Sequence, residues 1–362
     1  MAYTTIDDPE AYFQTKIYTG NATDETAITL DGDTNMQPDL IWIKDRDAAQ
    51  HHRVMDSVRG LKEILRADSD DGDLGSFPYT AGSADGLHSI DSDGFTLTED
   101  DSDLGFNGSG SKTVAWCWKA GTTSGITTDA ATDITPSSYS FNDTAKFSIV
   151  KYAGATTAGQ LAHGLGVTPT FHMIKKTSGS GNWQVYSKAV GNTATLSLNQ
   201  NYATDANAYY YNNTDPDSVN ITLGSGSSNT SVNTSGQTYM CYSFADVQGY
   251  SKFGSYTGNG NADGAFVYLG FAPQFLLIKG TAANREWILT DFTRQNYNDG
   301  STPTVWTNLA DAEGNYAIDY LSNGFKQRST SASLNASGNT YIYMAFAEAP
   351  FVNSNGVPCN AR

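Results

Sequence analysis

Apolar residues along this chain come in short runs rather than helical stripes. Leu40-Ile41-Trp42-Ile43, Phe171-His172-Met173-Ile174 and Phe275-Leu276-Leu277-Ile278 are near-continuous runs, closed by Lys44, Lys175 and Lys279. Such a run reads as a strand buried between two layers. Residues 239–244 and 341–346 alternate aromatic and small side chains, as strands with two packed faces do. Gly, Asn, Asp and Ser punctuate the runs. Only residues 58–67 have a weak helical period. Gly60 sits inside that stretch, at a cost of about 1 kcal/mol against Ala, so it reads as a loop with one short helix at most.

The pattern occurs three times. Pro38-Asp39-Leu40-Ile41-Trp42-Ile43-Lys44 returns as Pro169-Thr170-Phe171-His172-Met173-Ile174-Lys175 and as Pro273-Gln274-Phe275-Leu276-Leu277-Ile278-Lys279. A Tyr/Gly turn precedes each copy: Tyr18-Thr19-Gly20, Tyr152-Ala153-Gly154 and Tyr256-Thr257-Gly258. An Asn/Ser/Gly turn (Asn107, Asn233, Asn335) opens the aromatic strand that ends each copy. Copies one and three share Asp93-Gly94-Phe95 and Asn323-Gly324-Phe325. Copy two has Val219-Asn220-Ile221-Thr222-Leu223 in that place. The copies are roughly 100–130 residues long, the size of a domain rather than a solenoid unit.

This texture predicts an all-β chain of three tandem antiparallel β-sandwich domains of jelly-roll type. The boundaries are an acidic sandwich at 1–121, a polar linker at 122–144, a second sandwich at 145–247, a third at 248–350 and an extended tail at 351–362. The linker would let the first sandwich dock while the other two project as a rigid pair. The tail would cross to a neighbouring subunit.

Charge changes the picture in one respect. The net charge is −17, and the first 125 residues hold 23 of the 38 acids but only 9 of the 21 bases. Phosphate binding needs clustered Lys and Arg, so nucleic acid is excluded as a partner. An acidic first module suits a basic partner surface or plain solubility. No stretch approaches a membrane span and no leader is visible at Met1, so no membrane insertion is expected and synthesis is placed in a cytoplasm. Cys117, Cys241 and Cys359 read as free thiols, the first two buried.

Candidate chemistry is sparse. Asp68, Asp70, Asp71 and Asp73 form a candidate calcium loop, but the EF-hand spacing fails because Gly72 is fifth rather than sixth; a solvated acidic loop is the plainer reading. The acids 99–103 add carboxylates to the same module. His51-His52 has no counterpart in copies two and three, which place Trp183 and Trp287 nearby, so no catalytic set recurs. No nucleophile elbow, phosphate loop or zinc pattern is present. No catalytic residue and no cofactor besides that calcium is assigned. Tyr209-Tyr210-Tyr211 is the clearest candidate for a binding contact with a glycan or protein.

The strings Pro38 to Lys44, Asp56-Ser57-Val58-Arg59-Gly60, Asp93-Gly94-Phe95 and Val114-Ala115-Trp116-Cys117-Trp118-Lys119-Ala120-Gly121 resemble a module of tailed-bacteriophage virion proteins, especially of marine phages. Gly249 to Gly260 and Tyr341 to Phe351 continue the likeness over nearly the whole chain. The resemblance implies laminin-G-like or concanavalin-like sandwiches and a non-enzymatic structural protein of the virion, made in the host bacterial cytoplasm. It implies a tail fibre or tail-attached adhesion component, partnered by other virion proteins and by a host surface glycan or protein. A homo-oligomer, such as a trimer, is the expected assembly. A capsid (head) decoration protein or head fibre is the alternative, followed by a tail-associated polysaccharide depolymerase.

Overall fold

Each copy of the repeat folds into the same pair of antiparallel sheets. The computed structural model describes residues 3–73, 86–98, 105–155, 157–226, 232–295 and 297–359; the acidic run 99–103 lies outside them.

In copy one the strands are β1 (Phe13–Thr19), β2 (Thr26–Thr29), β3 (Leu40–Asp45), β4 (Arg53–Asp56), β5 (Leu87–Asp91), β6 (Gly94–Leu97) and β7 (Lys112–Trp118). They form a large sheet, β1-β7-β3-β4, and a small one, β2-β6-β5. Copy two contributes β8 (Ser138–Asn142), β9 (Phe147–Ala153), β10 (Gly159–Ala162), β11 (Phe171–Lys176), β12 (Gln184–Ser187), β13 (Ala194–Ser197), β14 (Asp205–Ala206), the one-turn helix α1 (Ala208–Tyr211), β15 (Asn220–Leu223) and β16 (Thr238–Phe244). Its large sheet is β14-β13-β12-β11-β16-β9-β8 and its small sheet β10-β15. Copy three has β17 (Ser251–Thr257), β18 (Phe266–Tyr268), β19 (Phe271–Gly280), β20 (Trp287–Asp291), α2 (Phe292–Gln295), β21 (Thr302–Trp306), β22 (Gly314–Tyr316), β23 (Ile318–Leu321), β24 (Gly324–Gln327), α3 (Ala332–Asn335) and β25 (Thr340–Pro350). Its sheets are β17-β25-β19-β20-β21-β22 and β18-β24-β23. The lysine-terminated runs are β3, β11 and β19, interior strands of the three large sheets. Residues 219–223 of copy two supply β15, the counterpart of β6 and β24.

Each copy is latched by its own turn motifs. The hydroxyls of Tyr18, Tyr152 and Tyr256 donate to the carbonyls of Phe106, Val232 and Leu334 at 2.6–2.7 Å. The next residues, Asn107, Asn233 and Asn335, are fully buried, and their Oδ1 atoms accept backbone N–H groups from the Tyr/Gly turn. Glycine is required there by close approach. A Cβ on Gly20, Gly154 or Gly258 would lie 2.2–2.4 Å from a backbone oxygen.

The near-continuous apolar runs have a physical cause that goes beyond a simple sandwich. In β3, Ile41 and Ile43 face the core between the two sheets of copy one, whereas Leu40 and Trp42 face away from it. In β19, Leu276 and Ile278 point inward to copy three's own core, and Phe275 and Leu277 point the other way. These outer faces do not meet water. They converge with those of copy two on one shared core containing Trp42, Trp116, Trp118, Phe171, Trp183, Phe244, Phe253, Phe275, Trp287 and Phe346. Phe13 stacks on Phe346 at 5.2 Å and Phe171 on Phe253 at 5.6 Å, across copy boundaries. An aromatic truncated in such a core costs about 3–5 kcal/mol. The three sandwiches are therefore united by a fourth core rather than strung as separate beads.

Three expectations are corrected. Residues 122–144 are not a free linker: β8 pairs with β9, and Ile134 bridges to Leu161, because Ile134 and Tyr139 pack on copy two's core. The first copy is not detached from the other two, since its outer face is part of the shared core. The tail folds back rather than extending away: Asn353 N–H donates to Val357 O at 2.9 Å, and Ser354 N–H donates to Asp7 at 2.7 Å. Residues 58–67 form turns and a bridge of Leu65 to Val54, not a helix. Cys117 and Cys241 are buried free thiols, as read from the sequence, and Cys359 is exposed. No helix among the described residues is long and apolar enough to cross a membrane.

Candidate functional site

The most organised polar chemistry lies where the copies meet, and it repeats in a cycle. Strand pairing makes Asp56, Ser187 and Asp291 equivalent, because they stand opposite Leu40, Phe171 and Phe275. The same register aligns Trp116, Tyr242 and Met344. Carrying the alignment outward makes His52 the counterpart of Trp183 and Trp287.

Each of those three rings reaches the preceding copy in the cycle. Trp183 Nε1–H donates to Arg66 O at 2.8 Å, and Trp287 Nε1–H to Ser197 O at 2.8 Å. His52 Nε2 meets Trp306 O at 3.0 Å. The acceptors are equivalent too, following Leu65, Leu196 and Val305, which pair with Val54, Val185 and Leu289. A backbone bond closes each junction: Asp73 N–H to Thr177 O at 2.8 Å, Thr204 N–H to Thr281 O at 3.1 Å and Glu313 N–H to Arg46 O at 2.8 Å. Three junctions built from matching positions make the chain a pseudo-threefold ring.

His52 is thus a structural substitute for tryptophan. Its Nδ1 accepts the indole N–H of Trp42 at 2.9 Å, which leaves Nε2 carrying the proton toward Trp306 O. Burial pushes its pKa down to about 3, so it stays neutral.

Two junctions carry a buried ion pair. At one, Arg59 Nε lies 2.5 Å from Asp56 Oδ2 and Nη1 lies 2.7 Å from Asp73, while Tyr242 of copy two donates its hydroxyl to Asp56 Oδ2 at 2.7 Å. At the other, Arg294 Nε lies 2.6 Å from Asp291 Oδ2, and Trp116 of copy one donates to that oxygen at 3.0 Å. Glu313 there bridges Arg294 and Arg46 at 2.7 and 2.8 Å. Burial alone would lower both arginine pKa values, but the adjacent carboxylates raise them. At the third junction the equivalent positions hold Ser187, Val190 and Met344. Donor, acceptor and cation have changed together to an uncharged set.

The repeated lysines are fully buried and capped by carbonyls. Lys175 Nζ meets Gly181 O at 2.6 Å and Ser69 O of copy one at 3.4 Å. Lys279 Nζ meets Gly280 O at 2.6 Å and Tyr202 O of copy two at 3.0 Å. Lys44 Nζ is held by Asp45 O and Ala48 O. Burial lowers their pKa values to about 8 for Lys44, 7 for Lys175 and 8 for Lys279.

The residues singled out from sequence are placed as follows. Tyr210 and Tyr211 are buried under the small sheet of copy two, and Tyr211 packs edge-on to His172 and Tyr186. Only Tyr209, 49% exposed, faces outward. The cluster is a one-turn helix capped by Asn207, not an aromatic surface. The four aspartates do not converge. Asp68 binds His51 at 2.6 Å, Asp70 takes the hydroxyl of Ser180 at 2.6 Å, Asp71 faces Arg66 at 3.3 Å and Asp73 holds Arg59. They tie copy one to itself and to copy two. The one metal-sized grouping among the described residues is Asp24, Glu25 and His88, all exposed. Sequence reasoning missed the ring contacts of His52, Trp183 and Trp287; the signal was the matching position of these residues in the three copies.

No curated protein and no solved structure matches this chain. A family model described as "Domain of unknown function (DUF7483)" matches residues 8–350, and the chain belongs to that family.

Proposed function

We propose that the chain is a non-enzymatic structural protein of a tailed-bacteriophage particle, serving as a tail fibre or tail-attached component that contacts the host surface. The observation carrying this reading is the interchange of chemistry at equivalent buried positions. Asp56, Arg59 and Tyr242 at one junction correspond to Ser187, Val190 and Met344 at another. Catalytic groups need exact placement and a reachable reacting atom. These groups are sealed between copies and work as fasteners. The sequence resemblance to phage virion modules supports the location. A rigid ring with three related faces suits a partner with threefold symmetry.

Immunogold electron microscopy of intact particles tests this directly, with label expected on the tail. Label confined to the head would favour a decoration protein. New reducing ends released from host polysaccharide by the purified chain would overturn the non-enzymatic reading.

A further inference from the structure

We propose that a cleft on copy three, walled by both chain termini, binds a neutral glycan; the inference rests on the adhesion reading above. The cleft measures about 450 Å³ and is lined by Tyr3, Asp246, Gln248, Lys252, Tyr268 and Phe351, among others. That volume falls within the range of small-ligand sites. Tyr3 and Tyr268 at its rim are each 55% exposed.

Neither ring is loose. Lys252 Nζ donates to Tyr268 O at 2.8 Å and sits 5.4 Å from the Tyr268 ring centre. The Tyr3 ring lies against the turn at Gly356, where an added Cβ would be 3.5 Å from Tyr3 Cε2. Ser354 in that turn is bonded to Asp7, and Thr4 Oγ1–H donates to Gln248 O at 2.7 Å. Pre-placed aromatic rings bind at low ordering cost. In the same cleft, Asp246 is fixed by Thr170 Oγ1–H at 3.0 Å and Phe253 N–H at 3.1 Å.

The fold itself does not demand these aromatics. The pairing of β18 with β24, β2 with β6 and β10 with β15 aligns Tyr268 with Thr29 and Ala162, and Phe266 with Ala27 and Gln160. A cleft recurs at the matching place in copy one, but Glu10, Gln14 and Asp31 line it. Only copy three places an exposed tyrosine at that strand position beside a fixed carboxylate and an amide. A sugar presents a C–H face to an aromatic ring and hydroxyls to such acceptors and donors. Asp246 and the net charge of −17 disfavour an acidic polymer.

The test is binding of the full-length chain to an array of neutral and acidic oligosaccharides, alongside Tyr268→Ala, Tyr3→Ala and Tyr268→Trp. Wild type should bind neutral members, and Tyr268→Ala should bind at least about 10-fold more weakly, a loss of about 1.4 kcal/mol, with its melting temperature unchanged. Tyr268→Trp should retain binding. No neutral glycan bound, or Tyr268→Ala indistinguishable from wild type, would overturn the cleft. Adhesion to a panel of intact marine bacteria, measured in parallel, separates the two claims. Equal adhesion by wild type and Tyr268→Ala sinks the glycan site while adhesion stands; no adhesion by either, together with a blank array, sinks both.

Discussion

Arg59 offers the sharpest test of the ring. Its side chain is fully buried, with Nε on Asp56, Nη1 on Asp73 and Nη2 2.9 Å from Val54 O. Replacing it by valine leaves the buried Asp56 carboxylate with Tyr242 and two backbone N–H groups but no cation. Breaking a buried pair by removing one partner costs about 3–5 kcal/mol. The third junction shows the alternative solution, so Asp56→Ser/Arg59→Val/Tyr242→Met would install the set found at Ser187, Val190 and Met344. Replacing a whole buried ionic group by apolar residues is often close to neutral. Asp73 is left partly solvated, its side chain 18% exposed. The triple variant should therefore recover about 2 kcal/mol or more relative to Arg59→Val. Urea titrations of wild type, Arg59→Val, Asp56→Ser/Tyr242→Met and the triple variant give the coupling energy. A triple variant as unstable as the sum of its parts would show that the three junctions are not equivalent, and the pseudo-threefold argument would fail.

Stability should rise with pH above about 7. Lys44, Lys175 and Lys279 release their protons near pH 7–8 when folded and near 10.4 when unfolded; between these limits the unfolded chain binds more protons, so folding strengthens. Urea midpoints at pH 6.5 and 9.5 measure this, and Lys175→Met should flatten the slope; an unchanged slope would count against the cause assigned. Gly258→Ala forces a Cβ to 2.4 Å from Ala336 O and should lower stability by about 1–3 kcal/mol, read as a drop in thermal midpoint. Tyr211→Ala should cost about 3–5 kcal/mol, by analogy with buried Phe, whereas Tyr209→Ala should stay within about 0.5. Denaturation of the two variants side by side checks the placement of α1.

The strands and their repetition were legible because alternation and apolar runs depend on local geometry. The run Leu40 to Ile43 announced burial on both faces. It did not announce that one face would meet copies two and three, because periodicity specifies a buried side and not its occupant. The seam contacts were hidden by substitution. His52 stands where Trp183 and Trp287 stand, but along the sequence it reads as an isolated histidine. Three consecutive tyrosines suggested an exposed patch, but a single helical turn sends Tyr210 and Tyr211 inward. The aspartates at 68–73 suggested a cation; arginine and histidine partners from other segments already occupy them, and spacing along the chain carries no trace of that.

The junction between copies one and three joins partners 254 and 267 positions apart, through His52–Trp306 and Arg46–Glu313. Contacts of such separation form late and slowly. While the ribosome is still making copy three, Trp116 and Trp118 lack their copy-three neighbours Asp291, Phe275 and Phe346, and a growing chain displays a sticky aromatic face. The ring therefore closes only once copy three has folded, and any truncation before Trp306 would leave an open ring prone to capture by a second chain.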